Sequence, residues 1–250
     1  MKKILAGLVV FCFSLSAQEI YATFSVEAIK SANLAFESSG TVKKVYVDTS
    51  SVVKKGTKLA QLFNDDLQAS TAIAKSVLQN AEVTLKYAKK DYERQLKIKS
   101  IIDEAKFDKY ALAYERAKVG LLQAKANLAY KKALLAKSTI YAPFSGVIFE
   151  RTLEVGDVVS GMMLRTVFKI QSQTQRKLVL EFDQKYHKEI KVGTLFSYRV
   201  DGDETQRKGA ISKIYPTANS SNRKLRAEVE VESLLVGLFG DGYIILPKQK

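Results

Sequence analysis

Two rhythms of apolar and polar residues divide this sequence. Between Leu67 and Ala136 there is no proline and a single glycine, Gly120, and Ala, Leu, Lys, Glu and Gln dominate. Apolar or small residues fall at Leu67, Thr71, Ala74, Leu78, Ala81, Leu85, Ala88 and Tyr92, with Leu96 one position late. A second series runs Phe107, Tyr110, Tyr114, Ala117, Leu121, Ala124 and Leu128, with Leu135 a heptad further on. The steps alternate four and three, the coiled-coil period of about 3.5, whereas an ordinary surface helix drifts at about 3.6. The series meet between Lys97 and Asp103, so the pattern predicts an antiparallel αα-hairpin over 67–136. Asn64, Asp65 and Asp66 offer caps for the first helix; Asp103 can cap the second, with Ser100 as an alternative. At about 33 residues, each helix would be roughly 50 Å long. The many alanines allow close approach of the two helices.

Elsewhere apolar and polar residues alternate in short runs that turn at glycine, as strands do. One such stretch is written twice. Gly40-Thr41-Val42 leads to Val52-Val53, Gly56 and Phe63; Gly146-Val147-Ile148 leads to Val158-Val159, Gly161 and Phe168. With a single one-residue gap the landmarks coincide. Neither copy can bury a core alone, so the two must meet in space as a small β-sandwich, with the helical insert carried out between them. Ala142-Pro143-Phe144-Ser145-Gly146 reads as the turn into the second copy. After about Gln173 new alternating runs begin, at Lys177 to Phe182, Leu195 to Val200, Gly209 to Ile214, Leu225 to Val231 and Gly242 to Leu246. Five or six short strands at this spacing predict a small β-barrel, with Glu189 to Gly193 as a closing helical turn and a strand from Thr23 to Leu34 pairing into it. The expected organisation is a split sandwich (36–66 and 138–171), the hairpin (67–136) and a barrel (23–35 and 174–250). The fold class is mainly β with a long helical hairpin.

Composition changes the picture at the N-terminus. Met1-Lys2-Lys3, the apolar run Ile4 to Leu15 and the small residues Ser14 to Ala17 read as a signal peptide over 1–17. That run is short of the roughly 20 residues needed to span a bilayer. Cys12 lies within it, and bulky Phe11 is the wrong neighbour for a lipoprotein cleavage site. Cleavage near Ala17 would leave a mature chain without cysteine, hence without disulfides or thiolate metal sites, in the periplasm of a Gram-negative bacterium. The net charge of +14 is spread out, with lysines recurring along the insert, either as a solvated helix face or as an attraction for an acidic partner or anionic lipid head groups; the leader argues against nucleic acid.

These residues resemble the periplasmic adaptor, or membrane fusion protein, family of bacterial tripartite efflux pumps. Gly40 through Gly56 with Leu59-Ala60 looks like the family's first half-lipoyl motif. Thr139-Ile140-Tyr141-Ala142-Pro143-Phe144-Ser145-Gly146 looks like its second, with Gly40, Gly56, Pro143 and Gly146 as structural positions. Gly209 to Pro216 resembles its barrel motif. The resemblance implies a ring, commonly of six, between an inner-membrane transporter, with the RND type favoured, and a TolC-like outer-membrane channel. It also implies channel contact through the hairpin tip, carried here by Tyr92, Leu96, Ile98, Ser100, Ile101 and Asp103. The family's tip pattern, Arg-x3-Leu-x6-Ser, reads here as Tyr92, Leu96 and Asp103: the leucine matches, the other two depart. Tyr92 removes a charged fork donor, whereas Asp103 can still cap a helix. The chain also stops just after the barrel, where larger members continue into a membrane-proximal domain.

The sequence offers no chemistry. The hairpin occupies the turn where a carrier domain displays its lipoyl lysine, so no cofactor is expected. His187 is a lone exposed histidine. Met162 and Met163 are adjacent, and in a strand one would face inward. No nucleophile elbow, phosphate loop or carboxylate cluster is present, so an enzyme is not expected. Three other readings stay open: an adaptor for an ABC-type or type I secretion exporter, a carrier domain, and a periplasmic coiled-coil scaffold without transport. The tip residues Leu96, Ile98, Ile101 and Ile102 either meet a partner or close the hairpin on themselves.

Overall fold

The structure is a computed structural model and describes residues 18–163 and 165–246; the leader and Cys12 lie outside the described residues. The described residues form two compact units, one within 31–171 and one made of 18–30 with 172–246.

The first unit holds the doubled motif. Copy one contributes β3 (Gly40–Val45), β4 (Val52–Val53) and β5 (Lys58–Leu62); copy two contributes β7 (Gly146–Arg151), β8 (Val158–Val159) and β9 (Phe168–Gln171). The copies exchange their short strands. β4 pairs with β7, Val52 opposite Val147, while β8 pairs with β3, Val158 opposite Thr41. With β2 (Ser31–Leu34) and β6 (Thr139–Tyr141) this makes two four-stranded sheets, β2-β9-β7-β4 and β6-β5-β3-β8. Neither copy completes a sheet without the other, as the lack of a separate core requires. Val42, Leu59, Leu62, Ile148, Phe168 and Ile170 are almost wholly buried between them. The repeat breaks at its last position. Phe168 is buried, but Phe63 leaves β5 toward the hairpin, is 56% exposed and carries Lys43 Nζ 5.4 Å from its ring centre.

The glycines are used differently in the two copies. Gly56 turns in the left-handed region at φ +82°, and its N–H donates to Ala142 O at 2.8 Å. Gly146 is needed for space: a Cβ there would stand 2.2 Å from the Gln171 carbonyl oxygen. Pro143 lies in the bend before it. Met162 and Met163 depart from expectation. The strand ends at Val159, so alternation no longer applies, and both are exposed, at 94% and 79%.

Between β5 and β6 run α1 (Asp65–Leu96) and α2 (Glu104–Lys137), joined by a short 3₁₀ turn, Lys99–Ile101. The buried helix positions Ala74, Phe107, Ala117, Ala124 and Leu128 all belong to the two heptad seams. Asn64 takes the N-cap position of α1 without capping. Its Nδ2 donates to Ser138 Oγ at 2.8 Å and its Oδ1 accepts from Gln68 Nε2 at 2.7 Å. Both Asn64 and Ser138 are buried, so this bond ties the two roots of the hairpin together.

The second unit is a closed six-stranded barrel of β1 (Gln18–Ala28), β10 (Gln175–Asp183), β11 (Leu195–Val200), β12 (Arg207–Ile214), β13 (Lys224–Glu232) and β14 (Phe239–Leu246), in the order β1-β10-β13-β12-β11-β14. Period-two alternation sends Ile20, Ala22, Phe24 and Val26 inward. Phe24 meets Phe196 edge-on at 6.0 Å, over Gly240 and Gly242, where a Cβ would collide with these rings.

Two expected boundaries move. The Thr23 to Leu34 run is not one barrel strand. β1 starts at Gln18 and stops at Ala28, and 31–34 joins the sandwich as β2, with Leu34 opposite Phe168. The apolar alternation is interrupted only at Ile29-Lys30 and resumes in the same phase at Ala32 and Leu34, which hides the change of sheet from a period count. The helical turn also comes earlier than Glu189 to Gly193: a 3₁₀ turn spans Gln184–Tyr186, where Asp183 accepts from Lys185 N at 2.9 Å and starts it.

Candidate functional site

The hairpin tip is built from its two capped ends. Asp103 holds extended dihedrals before α2 and its Oδ1 accepts from Lys106 N at 3.1 Å, satisfying one of the free N–H groups of the first turn. The carbonyl of Asp103 already accepts from Phe107 N at 3.1 Å, so Asp103 both ends the turn and begins the helix. Ser100, the alternative cap, lies inside the 3₁₀ turn and is exposed.

Tyr92 is not a free tip contact. Its ring stacks on Tyr114 at 5.2 Å and tilts against Phe107 at 5.7 Å. This three-ring cluster occupies the seam one turn below the tip, and Lys99 Nζ lies 4.7 Å from the Phe107 ring centre. The position that departs from the family's arginine is therefore an internal brace, which fits its aromatic character and its place in the heptad series.

The remaining apolar residues are turned outward. Ile101 is 81% exposed and Leu96 47%; Ile98 is also exposed, and only Ile102 is half-buried. Of the two uses foreseen for the tip, self-closure involves Ile102 and the aromatic cluster, and leaves Leu96, Ile98 and Ile101 unsatisfied. Lys97 and Lys99 stand among them, so the surface is apolar with a cationic fringe. Presenting such a surface on a braced, capped end favours contact with another protein.

The structure brings together Leu96, Ile98, Ser100, Ile101 and Asp103 and draws Tyr92 inward. Gly40, Gly56, Pro143 and Gly146 belong to the sandwich. Sequence reasoning missed the buried root bond between Asn64 and Ser138, because an asparagine before two aspartates reads as a cap. Among the described residues no group of three His, Cys, Asp or Glu side chains could hold a metal ion, and no helix is long and apolar enough to cross a membrane. His187 is exposed, with Nδ1 3.1 Å from Gln184 O.

No family model matches the chain. Over 226 residues it is 26% identical to the macrolide export protein MacA of Yersinia pestis, an alignment covering 82% of this chain and 60% of that protein. The crystal structure of MacA from Actinobacillus actinomycetemcomitans superposes with a TM-score of 0.77 at 18% identity, covering 93% of this chain and 79% of the other. A MacA-MexA chimeric protein bearing the Pseudomonas aeruginosa MexA α-hairpin domain gives 0.71 at 21% identity, covering 93% and 83%. The chain has the fold of these solved structures. It shares their mainly β architecture, with a helical hairpin and a closed six-stranded barrel. The chain spans about 60% of the length of the curated relative it matches.

Proposed function

We propose that this chain is the periplasmic adaptor of a tripartite export pump, linking an inner-membrane transporter to an outer-membrane channel. The observation that carries the reading is the tip. A 32-residue and a 34-residue helix, tied at the root by Asn64 and Ser138 and braced at the far end by Tyr92, Phe107 and Tyr114, present Leu96, Ile98 and Ile101 to the outside. A rod of this build transmits position rather than chemistry. The tip engages the channel, copies of the chain assemble into a ring, and the β-modules seal against the transporter. The adaptor carries no catalytic group of its own and is delivered by the leader at 1–17. Similarity to a macrolide export protein favours small organic molecules as cargo. The transporter is of the RND or the ABC type, and co-purification from solubilised inner membranes separates the two.

The test is the double variant Leu96→Asp with Ile101→Asp, which puts two carboxylates on the tip without touching the cap or the aromatic brace. Drug susceptibility should rise to that of a strain lacking the gene, while helix content by circular dichroism stays that of wild type. Wild-type susceptibility with normal expression would remove the tip from the mechanism.

A further inference from the structure

The sandwich turns a face of tyrosines and lysines outward. In the sheet β6-β5-β3-β8, antiparallel register sets Tyr141 of β6 opposite Lys58 of β5, Thr139 opposite Gln61, and Gln61 opposite Lys44 of β3. Val42, Leu59, Leu62 and Ile140 fill the core, while Lys44, Lys58 and Tyr141 are exposed and Gln61 and Thr139 half-buried. Tyr46 follows β3 directly. Its N–H donates to Leu59 O at 2.9 Å and its hydroxyl to Gln61 Oε1 at 2.8 Å, which draws the ring toward the neighbouring strand. Tyr46 is 40% exposed and Tyr141 43%. The two rings stand on strands two apart, hence about 10 Å at the usual strand spacing. The amide of Gln61 and the hydroxyl of Thr139 lie beside them.

The charge around these rings has one sign. Lys54 and Lys55 follow β4, and Lys55 N donates to Ser145 Oγ at 3.1 Å, which holds that turn beside the end of β6. With Lys44 and Lys58 they make four exposed lysines, and among the described residues none of the four has an ion-pair partner. The carboxylates closest to them along the chain are engaged elsewhere: Asp48 by Arg151 at 2.9 Å and Asp65 by Lys43 at 3.2 Å. Lys44 Nζ rests 5.0 Å from the centre of the Tyr46 ring.

We propose that this face of the sandwich binds a carboxylate-bearing glycan, the polymer of the bacterial cell wall. This rests on the periplasmic placement proposed above, because a rod that joins the two membranes has to pass through that wall. Four unpaired lysines call for a partner of opposite charge. Charge alone would admit any polyanion. The paired rings select one with flat faces of C–H groups, which lipid head groups and acidic peptides lack and sugars have. One run of sugars covers both tyrosines, Gln61 and Thr139 hydrogen-bond its hydroxyls, and Lys44 swings from the Tyr46 ring to a carboxylate as the sugar takes its place. Exposed ion pairs are individually weak and screened by salt, so the lysine share of the binding is salt-sensitive and the ring share is not.

The test is co-sedimentation of the purified full chain with insoluble cell-wall sacculi. Wild type should pellet saturably, and soluble fragments of the same glycan should compete. Tyr46→Ala with Tyr141→Ala should weaken binding roughly tenfold and leave its salt dependence unchanged. Tyr141→Phe, which keeps the ring, should bind as wild type does. Lys44→Glu with Lys58→Glu should weaken binding roughly tenfold and flatten the salt dependence. Lys75→Glu with Lys86→Glu makes the same charge change on exposed positions of α1 and should leave binding unaltered, which separates a local site from attraction to a chain of net charge +14. Tyrosine variants that bind like wild type, or a helix pair that matters as much as Lys44 and Lys58, would overturn the proposal. Equally tight binding to poly-glutamate or to anionic phospholipid vesicles would assign the face to another polyanion and overturn it too. A chain that is periplasmic but ignores sacculi refutes this site alone; one found only in the cytosol refutes the placement on which it rests. All substituted side chains are exposed, and unchanged thermal unfolding of each variant verifies the fold.

Discussion

Replacing Arg176 by methionine should unfold the barrel well below its normal temperature, although the arginine has no carboxylate partner among the described residues. It occupies an inward position at the start of β10 and is 6% exposed. Its guanidinium spends its donors on backbone: Nε on Leu234 O at 3.1 Å, Nη1 on Gln175 O at 3.1 Å and on Ser172 O, and Nη2 on Gln173 O at 2.6 Å. Burial pushes its pKa below arginine's ordinary value, but the side chain stays charged at neutral pH. Methionine keeps the length and removes every donor. Gln173 and Gln175 are exposed and their carbonyls can turn to water; Ser172 is buried and Leu234 half-buried, and theirs cannot do so freely. Two unmatched acceptors at about 1–3 kcal/mol each, less what is recovered by no longer burying a cation, leave a net loss of about 2–3 kcal/mol. At roughly 2–4 °C per kcal/mol the transition should fall by roughly 5–10 °C in scanning calorimetry. Arg176→Lys should recover only part of this, because an ammonium has no planar fork to span carbonyls on two loops. A methionine variant within about 0.5 kcal/mol of wild type, or full rescue by lysine, would refute the assignment of stability to the fork.

Gly146→Ala should cost about 1–3 kcal/mol or more by urea titration, because the added methyl meets the Gln171 carbonyl at 2.2 Å, whereas Gly120→Ala, with open space at its Cβ, should be neutral or stabilising by up to about 1 kcal/mol. Asp103→Ala should lower the stability of the hairpin by about 1 kcal/mol and speed amide exchange at Lys106, with Asp103→Ser restoring most of it. Burial opposes the charge on Glu228, but the hydrogen bonds from Lys177 at 2.5 Å and Tyr215 at 2.6 Å prevail and hold its pKa below the usual carboxylate value. Its contribution is therefore present above that usual value and lost as pH falls through the lowered one, so Glu228→Gln should flatten the acid limb of a stability-against-pH curve.

How much of this was legible beforehand differs by element. The hairpin was read closely because a heptad seam is local: the period alone says which residues of one helix face the other, and every buried helix position lies on the series counted from the sequence. The doubled motif was legible as a repeat, and from it the need for two halves to meet. The strand from Thr23 was misread because its alternation, interrupted only at Ile29-Lys30, resumes in the same phase while its pairing partner changes from β10 to β9. At the tip, the heptad series already placed Tyr92 on the seam, in conflict with its reading as a channel contact; only its ring partner, Tyr114, had to come from the return helix.

The sequence by itself thus determined the rod, the half-sheets and most of the barrel strands, all of which follow from period, turn residues and composition. Tertiary structure alone decided the exchange of short strands between copies, the stacking of Tyr92 on Tyr114, and the exposure of Met162 and Met163. The exchanged strands become neighbours across roughly 90 residues or more, and no local pattern carries that register.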